Sequence, residues 1–568
     1  MKNLQIARIF YDIADMLELD GIQFKPEAYR RAARNIESMS QDLEEVWKEG
    51  KLDSLPGIGK SMAQKIAEYL QEGRLQYYEK LKSRVPPGLV EITRISGVGP
   101  KTAKLLYDTL HIETVEQLRE AAAKGKIEGL RGLGRKKVEN ILRGIELLAE
   151  SKKRMLLGQA LPLAERTVEY LRTHAPVQRI TVAGSLRRMR ETVGDIDILV
   201  TAEDWRRVMD AFTGMPYVKE VLLHGDTKSS VILEEGIQTD LRVLNEDSFG
   251  SALQYFTGSK DHNIQLRNLA IDKGLKLSEY GVFRGDEKIA GATEEEVYAA
   301  LGLSYIEPEL REAQGEVERS REGRLPRLIK TEDIKGDLHV HTNWTDGHGS
   351  LRDMVEAAKA RGYEYVGISD HSGSLYIAGG MKEDDILRQM EEVRALREQM
   401  KGIHVLHGAE VDIKDHGELD FSEDVLRELD YVIAAVHSKL KMTEAEMTER
   451  VLTAMENEQV DILAHPTCRL INERAPVALD MPKVIESAVE TDTALEINSY
   501  ITRLDLNGGY AKAAKEEGAK LVINTDSHTS LHLDLMKFGI GQARRGWVEP
   551  SDVINTMPYE KLLSWLHS

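Results

Sequence analysis

Asp195 and Asp197, separated only by Ile196, are the side chains of this 568-residue sequence whose spacing most directly implies chemistry. The run Ile196 to Thr201 reads as a strand, on which residues i and i+2 share a face, so both carboxylates project together while Ile196 turns to the core. Adjacent carboxylates repel unless a cation lies between them, and hard oxygen ligands at this spacing suit Mg²⁺ or Mn²⁺. Upstream, the apolar run Ile180-Thr181-Val182-Ala183 leads into Gly184-Ser185, a turn whose backbone N–H groups and hydroxyl suit a phosphate. An isolated Asp-x-Asp is common and mostly unrelated to metals. Here a third carboxylate, Asp240, sits in the alternating segment Gln238-Thr239-Asp240-Leu241-Arg242-Val243, which reads as another strand. Three carboxylates on adjacent strands can hold two metal ions, the arrangement for in-line phosphoryl transfer.

Gly184-Ser185, Asp195-x-Asp197 and Asp240 together resemble the nucleotidyltransferase signature of the family X DNA polymerases, the polymerase beta superfamily. Tyr255-Phe256-Thr257-Gly258-Ser259 is similar to that family's nucleotide-pocket motif. The resemblance implies that Arg188 binds the triphosphate and that Gly184, Ser185, Gly194 and Gly258 belong to the nucleotide site. It places Tyr255 and Phe256 against the sugar, where a 2′-OH would be crowded out, and Asn263 and Arg267 toward the incoming nucleotide's minor-groove edge and the template. The sequence departs from the pattern at Lys260, where the best-studied members carry an acidic residue. Without the family, Tyr-Phe-Thr-Gly is only an aromatic pair before a turn.

The first 150 residues read as helices punctuated by three glycine hairpins: Leu55-Pro56-Gly57-Ile58-Gly59-Lys60, Ile95-Ser96-Gly97-Val98-Gly99-Pro100 and Leu130-Arg131-Gly132-Leu133-Gly134-Arg135. They recur at roughly 35–40 residues, an internal repeat. In a helix-hairpin-helix unit the glycines let the turn approach a nucleic-acid backbone, and the next helix presents free N–H groups to a phosphate. One such turn is an ordinary helix cap. Three predict sequence-independent DNA binding through Gly57, Gly59, Lys60, Gly97, Gly99, Lys101, Gly132 and Gly134. The first two resemble the lyase and fingers regions of the same family. Lys65 falls where some relatives carry a Schiff-base lysine that removes 5′-deoxyribose phosphate. That chemistry needs a depressed amine pKa, to which Lys60 and Arg30 could contribute; a solvated lysine or a 5′-phosphate contact is the alternative.

The net charge of -19 hides an uneven layout: residues 1–154 hold 28 Lys+Arg against 23 Asp+Glu, and the remainder 48 against 72. This is compatible with DNA engaged mainly by the N-terminal part. A single cysteine, Cys468, excludes an intrachain disulfide framework and fits a reducing cytoplasm. The first residues open an amphipathic helical pattern and not a signal sequence. No apolar run reaches the roughly 18 residues that would span a bilayer.

Beyond a charged stretch, Gln314 to Lys330, that reads as a linker, the composition changes. His339 and His341 share a strand face, and Asp346 follows in a Thr-Asp-Gly turn. His371 ends the apolar run from Val366, Glu410 sits in His407–Asp412, His437 ends the run from Tyr431, His465 ends the run from Ile462, and Asp526 and His528 follow the run from Leu521. Short β-branched runs, each ending in a histidine or carboxylate and separated by helical stretches, are how a parallel (β/α) barrel builds a site at one mouth. Mixed imidazole and carboxylate ligands suit Zn²⁺, Mn²⁺ or Fe, and nine candidates call for two or three ions. These motifs resemble the polymerase and histidinol phosphatase (PHP) domain, whose metal-ligand set is matched by His339, His341, Asp346, His371, Glu410, His437, His465, Asp526 and His528. The resemblance implies a distorted barrel of about seven repeats that activates a water against a phosphate ester, with Glu410 bridging metals and Asp370, Asp412 and Asn498 orienting ligands.

The expected fold class is multidomain α+β and α/β. It comprises helical helix-hairpin-helix domains over 1–85 and 86–150, a nucleotidyltransferase palm over 151–245, a thumb subdomain over 246–312, a linker over 313–332 and a distorted (β/α)7-type PHP barrel over 333–568. The two resemblances imply a cytoplasmic, monomeric DNA polymerase that fills gaps in base-excision repair, using gapped or primer-template DNA and dNTPs, with Asp240 as general base. The barrel would add 3′ processing as a 3′–5′ exonuclease, 3′-phosphatase or phosphodiesterase, or abasic-site endonuclease. The rivals are a nuclease holding DNA on an inactive polymerase module, a non-catalytic gap-binding protein, and a phosphatase of small metabolites.

Overall fold

The computed structural model describes residues 2–19, 22, 25–37, 43–48, 50–55, 58–82, 86–93, 95, 98, 100–130, 133–134, 138, 141–142, 145, 154–472, 474 and 476–566. The chain divides into two compact units, one of Met1–Arg154, Lys260–Leu269 and Ala313–Gly315, the other of Met155–Ser259, Ala270–Glu312 and Glu316–Ser568.

The first unit is helical, and its hairpins share one local design. Ile58 N–H donates to Leu55 O at 3.0 Å, Val98 to Ile95 O at 2.9 Å and Leu133 to Leu130 O at 2.8 Å. The apolar residue between each pair of glycines is buried in one helical core: Ile58 at 3%, Val98 at 2% and Leu133 at 1% exposure. Each hairpin is thus pinned by its middle residue.

In the second unit, β1 (Met155–Leu156) pairs with β3 (Thr192–Val193). A five-stranded sheet follows the order β2-β4-β7-β6-β5. Its strands are β2 (Arg179–Val182), β4 (Asp195–Thr201), β5 (Val218–His224), β6 (Lys228–Leu233) and β7 (Gln238–Leu244). Ile196, Ile198 and Val200 of β4 are buried with Val231, Leu233 and Leu241 in one core. A one-residue slip would send that apolar face to the other side, so the core fixes the register in which Asp197 lies opposite Asp240.

A helix over Phe249–Thr257, a small sheet of β8 (Lys276–Ser278), β9 (Gly281–Arg284) and β10 (Glu287–Ala290), and a helix over Glu294–Ala300 come next. Glu294 ties them to the Gly184 turn. It accepts from Arg187 at 2.9 and 2.6 Å and from the fully buried Arg311 at 2.5 Å. Burial would raise the Glu294 carboxyl, but Arg311 and Arg187 hold it at about 2. Removing one partner strands a buried guanidinium, so Glu294→Ala should cost about 3–5 kcal/mol in urea unfolding, and a loss below about 1 kcal/mol would contradict this role.

The stretch read as a linker is not structureless: it contains the helix Glu316–Arg321, with Glu316, Val317 and Ser320 buried. Seven parallel strands then follow chain order: β11 (Gly336–Val340), β12 (Tyr365–Ile368), β13 (His404–Asp412), β14 (Tyr431–Ala435), β15 (Ile462–Leu463), β16 (Ala494–Asn498) and β17 (Leu521–Asn524). A parallel bridge between Val340 and Ser527 returns the end of β17 to β11, so the barrel is nearly closed. Its strands are buried almost throughout, which is why they read as continuous apolar runs. Ser350, Thr443, Asp480 and Asn507 cap intervening helices, fixing where each begins. The loop 188–191, between the Gly184 turn and β3, rests on the barrel through Arg469 to Glu191 at 3.1 and 2.7 Å and Gln542 to Met189 O at 2.9 Å.

Candidate active sites

Asp195 and Asp197 leave β4 on one face, and Gly184 closes over Asp197. Gly184 has φ +66°, and a Cβ there would come within 2.5 Å of Asp197 Oδ2. Only glycine permits both the left-handed backbone and that approach. Burial, reinforced by Asp195 and Asp240, pushes the Asp197 carboxyl up to about 7, the mark of a carboxylate cluster that a divalent cation would relieve. Asp240 moves the other way. Burial opposes its ionisation, but hydrogen bonds from Lys228, Gln238 and Ser230 lower its pKa, with Lys228 Nζ 2.5 Å from Oδ2. Neither Lys228 nor Gln238 carries a spacing signal that marks it in the sequence. Gly184→Ala should lower the rate of nucleotide addition about a hundredfold, the scale for small misplacements of reacting groups, measured by single-turnover extension. A change within about twofold would contradict the close-approach argument.

Ser185 is on the turn Gly184–Arg187, and Gly194 is exposed immediately before β4. The Arg188 guanidinium lies against Glu312 at 3.0 Å and the Thr257 carbonyl, while Arg545 donates to both Glu312 and Arg188 O at 2.8 Å. Tyr255 and Phe256 end the helix before Gly258, edge to face at 5.1 Å, with Arg242 over the Phe256 ring at 4.4 Å. Asn263 and Arg267 lie four apart on the helix Lys260–Asp272, and Arg267 Nε donates to Asn263 O at 3.2 Å.

The barrel mouth gathers all nine expected ligands. Three groups bring their atoms within 4.8 Å of one another: His341, Asp346, His371 and His528; His339, His341 and Asp526; and His371, Glu410 and His437. Among the described residues, the groups closing this tightly all lie in the barrel, and the aspartate triad is more open. Glu410 is central. One oxygen lies 2.8 Å from His371 and 3.4 Å from His339; the other lies 2.9 Å from His465 and 3.3 Å from His437. His339 Nε2, His341 Nε2 and Asp346 Oδ1 are buried without a well-angled hydrogen bond, as lone pairs aimed at a metal would be. This donor set fits metal ions. Outer partners aim the rings: His339 Nδ1 meets Glu496 at 2.7 Å, His437 Nδ1 meets Asp412 at 3.0 Å, and His528 Nδ1 meets Asp526 O at 2.9 Å, leaving each Nε2 for the centre. Asn498 donates to Asp526 at 3.1 Å, and Asp370 accepts from Thr342 N–H at 2.8 Å, bracing the loop beside His341. His465 and Asp526 have φ +30° and +54°, strain of the kind that collects at working sites. Glu496 and Arg503, the latter 3.5 Å from Asp526, join the site without any sequence motif to announce them.

In the first unit, Gly59 N-caps the helix Lys60–Glu72, and a Cβ at Gly59 or Gly134 would meet nothing within 4 Å, leaving both turns open to a ligand backbone. Lys60 and Lys101 are exposed. Gly57, Gly97, Gly99 and Gly132 lie outside the described residues. Burial lowers the Lys65 pKa, Glu68 opposes this and Lys25 adds to it, and the amine donates to Ser61 Oγ at 2.9 Å. Arg30 is not among these influences: Asp15 and Glu18 hold it, each at 2.7 Å.

A carboxylate triad on a mixed sheet and an imidazole–carboxylate mouth on a parallel barrel define a phosphoryl-transfer protein with two metal-dependent centres. Family models match as DNA polymerase beta thumb over 252–312, PHP domain over 337–500, helix-hairpin-helix domain over 1–75 and SAM-like helix-hairpin-helix tandem over 89–146. The chain is 40% identical over 571 residues to DNA polymerase/3'-5' exonuclease PolX of Bacillus subtilis (strain 168), covering 100% of this chain and 99% of that relative. It is 26% identical over 342 residues to DNA polymerase lambda of Rattus norvegicus, covering 55% and 56%. A probable phosphatase of Acetivibrio thermocellus is 33% identical over 207 residues, covering 35% of this chain and 80% of that protein. The chain belongs to the family X DNA polymerases that carry a C-terminal PHP domain. No helix among the described residues is long and apolar enough to cross a membrane.

Proposed function

We propose that this protein both lengthens and trims DNA 3′ ends, filling short gaps in base-excision repair as a cytoplasmic monomer. The observation that carries the reading is the register placing Asp197 opposite Asp240, under Gly184, on a chain whose barrel also assembles eight metal-competent side chains, with His465 against Glu410. In this reading Asp195, Asp197 and Asp240 hold two Mg²⁺ or Mn²⁺ ions, and the barrel holds two to three Mn²⁺, Zn²⁺ or Fe ions. Bound there, the ions neutralise phosphate charge and lower the pKa of the attacking hydroxyl or water.

The chain's own residues do the rest. Asp240 takes the proton of the primer 3′-OH through one oxygen while Lys228 fixes the other. Gly184, Ser185 and Gly194 receive the dNTP phosphates, and Arg188 joins them. Tyr255, Phe256 and Gly258 flank the sugar, and Asn263 and Arg267 face the nascent pair. In the barrel, Glu410 would help hold the ions, and Arg503 would face the phosphate oxygens of a 3′ end. That mouth acts as a 3′–5′ exonuclease, with 3′-phosphodiesterase or phosphatase, or abasic-site endonuclease, as the alternative forms of its 3′ processing. The hairpins of 1–85 and 86–150 hold the DNA backbone, and the lowered pKa of Lys65 supports a lyase role. The palm (151–245), thumb (246–312), connecting segment (313–332) and barrel (333–568) form the remaining working divisions. A gapped duplex with a 5′-labelled primer tests this: the protein lengthens the primer with dNTPs and shortens it without them. Failure to extend any gapped primer would overturn the polymerase assignment.

A further inference from the structure

The barrel mouth opens into two lobes that share Asp346, Arg503, Asp526 and His528, so the metal-competent side chains stand at their junction. One lobe, about 250 Å³, is walled by Leu375 and Ala378. The other, about 440 Å³, is walled by Tyr500, His532 and Thr529. A small phosphomonoester needs one such lobe. A phosphodiester within a strand carries a nucleoside on each side of the scissile phosphate and needs both.

Next in the chain to residues that line the lobes stand the two most exposed large apolar side chains among the described residues. Tyr376, between Leu375 and Ala378, is 88% exposed, and Leu531, between Thr529 and His532, is 74% exposed. Both stand on loops that carry metal-ligand candidates. The Tyr376 loop leaves His371 and returns to it, Met381 N–H donating to His371 O at 2.9 Å, and Ser374 is tied to Asp420 at 2.6 Å. Tyr376 is therefore held out into water on a braced loop beside the reacting centre. In the other lobe the Tyr500 ring is fixed edge to face against His532 at 5.4 Å. Aromatic faces beside a phosphate site are what nucleobases stack on, without regard to sequence.

Resting on the reading of the barrel as a DNA 3′-end nuclease, we propose that Tyr376, on the loop beside one lobe, and Tyr500, in the wall of the other, are base-stacking subsites that seat the two nucleotides flanking the scissile phosphate. The test uses the full-length protein with Mn²⁺ and two single-stranded oligonucleotides, one ordinary and one whose last two nucleotides are abasic tetrahydrofuran residues. The quantity read is the ratio of kcat/KM on the two. Tyr376→Ala should lower this ratio about tenfold, the scale of one lost base–aromatic stack, and Tyr376→Trp should retain it. A ratio unchanged in Tyr376→Ala, with both substrates slowed equally or neither slowed, overturns the subsite. Wild-type protein that hydrolyses p-nitrophenyl phosphate but releases no nucleotide from either oligonucleotide overturns the nuclease reading itself, and the subsite with it.

Discussion

Asp195→Ala/Asp197→Ala should abolish primer extension, lowering it by more than about a thousandfold, while nucleotide release at the barrel persists. The fold should survive. Burial, Asp195 and Asp240 together push the Asp197 carboxyl up to about 7, so the carboxylates repel one another as well as being partly desolvated. Alanine removes that repulsion, and the β4–β7 register is held by Ile196, Ile198 and Leu241, not by the carboxylates. The thermal midpoint should therefore stay level or rise as extension disappears, a pairing that separates a catalytic loss from an unfolded one. Extension within tenfold of wild type would show that the chemistry lies elsewhere.

His339→Ala/His341→Ala should abolish 3′ processing and empty the barrel of metal. His339 faces Glu410 and Asp526 while Glu496 holds its other nitrogen, and His341 belongs to two of the three ligand groups. Loss of an outer partner costs roughly 10–100-fold in metal affinity or activity, and loss of two direct ligands at the junction of the groups should exceed that. Elemental analysis of purified protein should show the drop from two or three ions. Extension should remain largely intact, because the barrel residues that touch the loop 188–191, Arg469, Gln542 and Arg545, are not on β11. Retained metal with full nucleotide release would contradict the ligand assignment.

What the sequence makes legible here follows from periodicity. Asp195 and Asp197 can be placed because strand alternation fixes their common face, and the barrel's candidate ligands, Asp346 in its turn apart, because they stand on or just after buried apolar runs of the kind a covered parallel strand gives. The three hairpins can be placed because their glycines recur at even spacing. Other features arise from long-range packing and leave no local trace. Lys228 reaches Asp240 across β6 and β7, and Glu496 meets His339 from a strand 157 residues away. Arg188 shows the limit most clearly: its position in the motif is plain, but its engagement by Glu312 and Arg545 depends on where the barrel helix Met536–Arg545 docks. The helix Glu316–Arg321 was hidden by its charge, since its buried face is only Val317 and two polar residues. Arg30 is a cation in sequence but is neutralised in space by Asp15 and Glu18.

The most direct test of two separate centres is one 5′-labelled primer on a gapped template, followed for lengthening and shortening in the same reaction with dNTPs and Mn²⁺. Wild type should give both product ladders, Asp195→Ala/Asp197→Ala only the shorter one, and His339→Ala/His341→Ala only the longer one. Loss of both ladders from either folded variant would contradict the account.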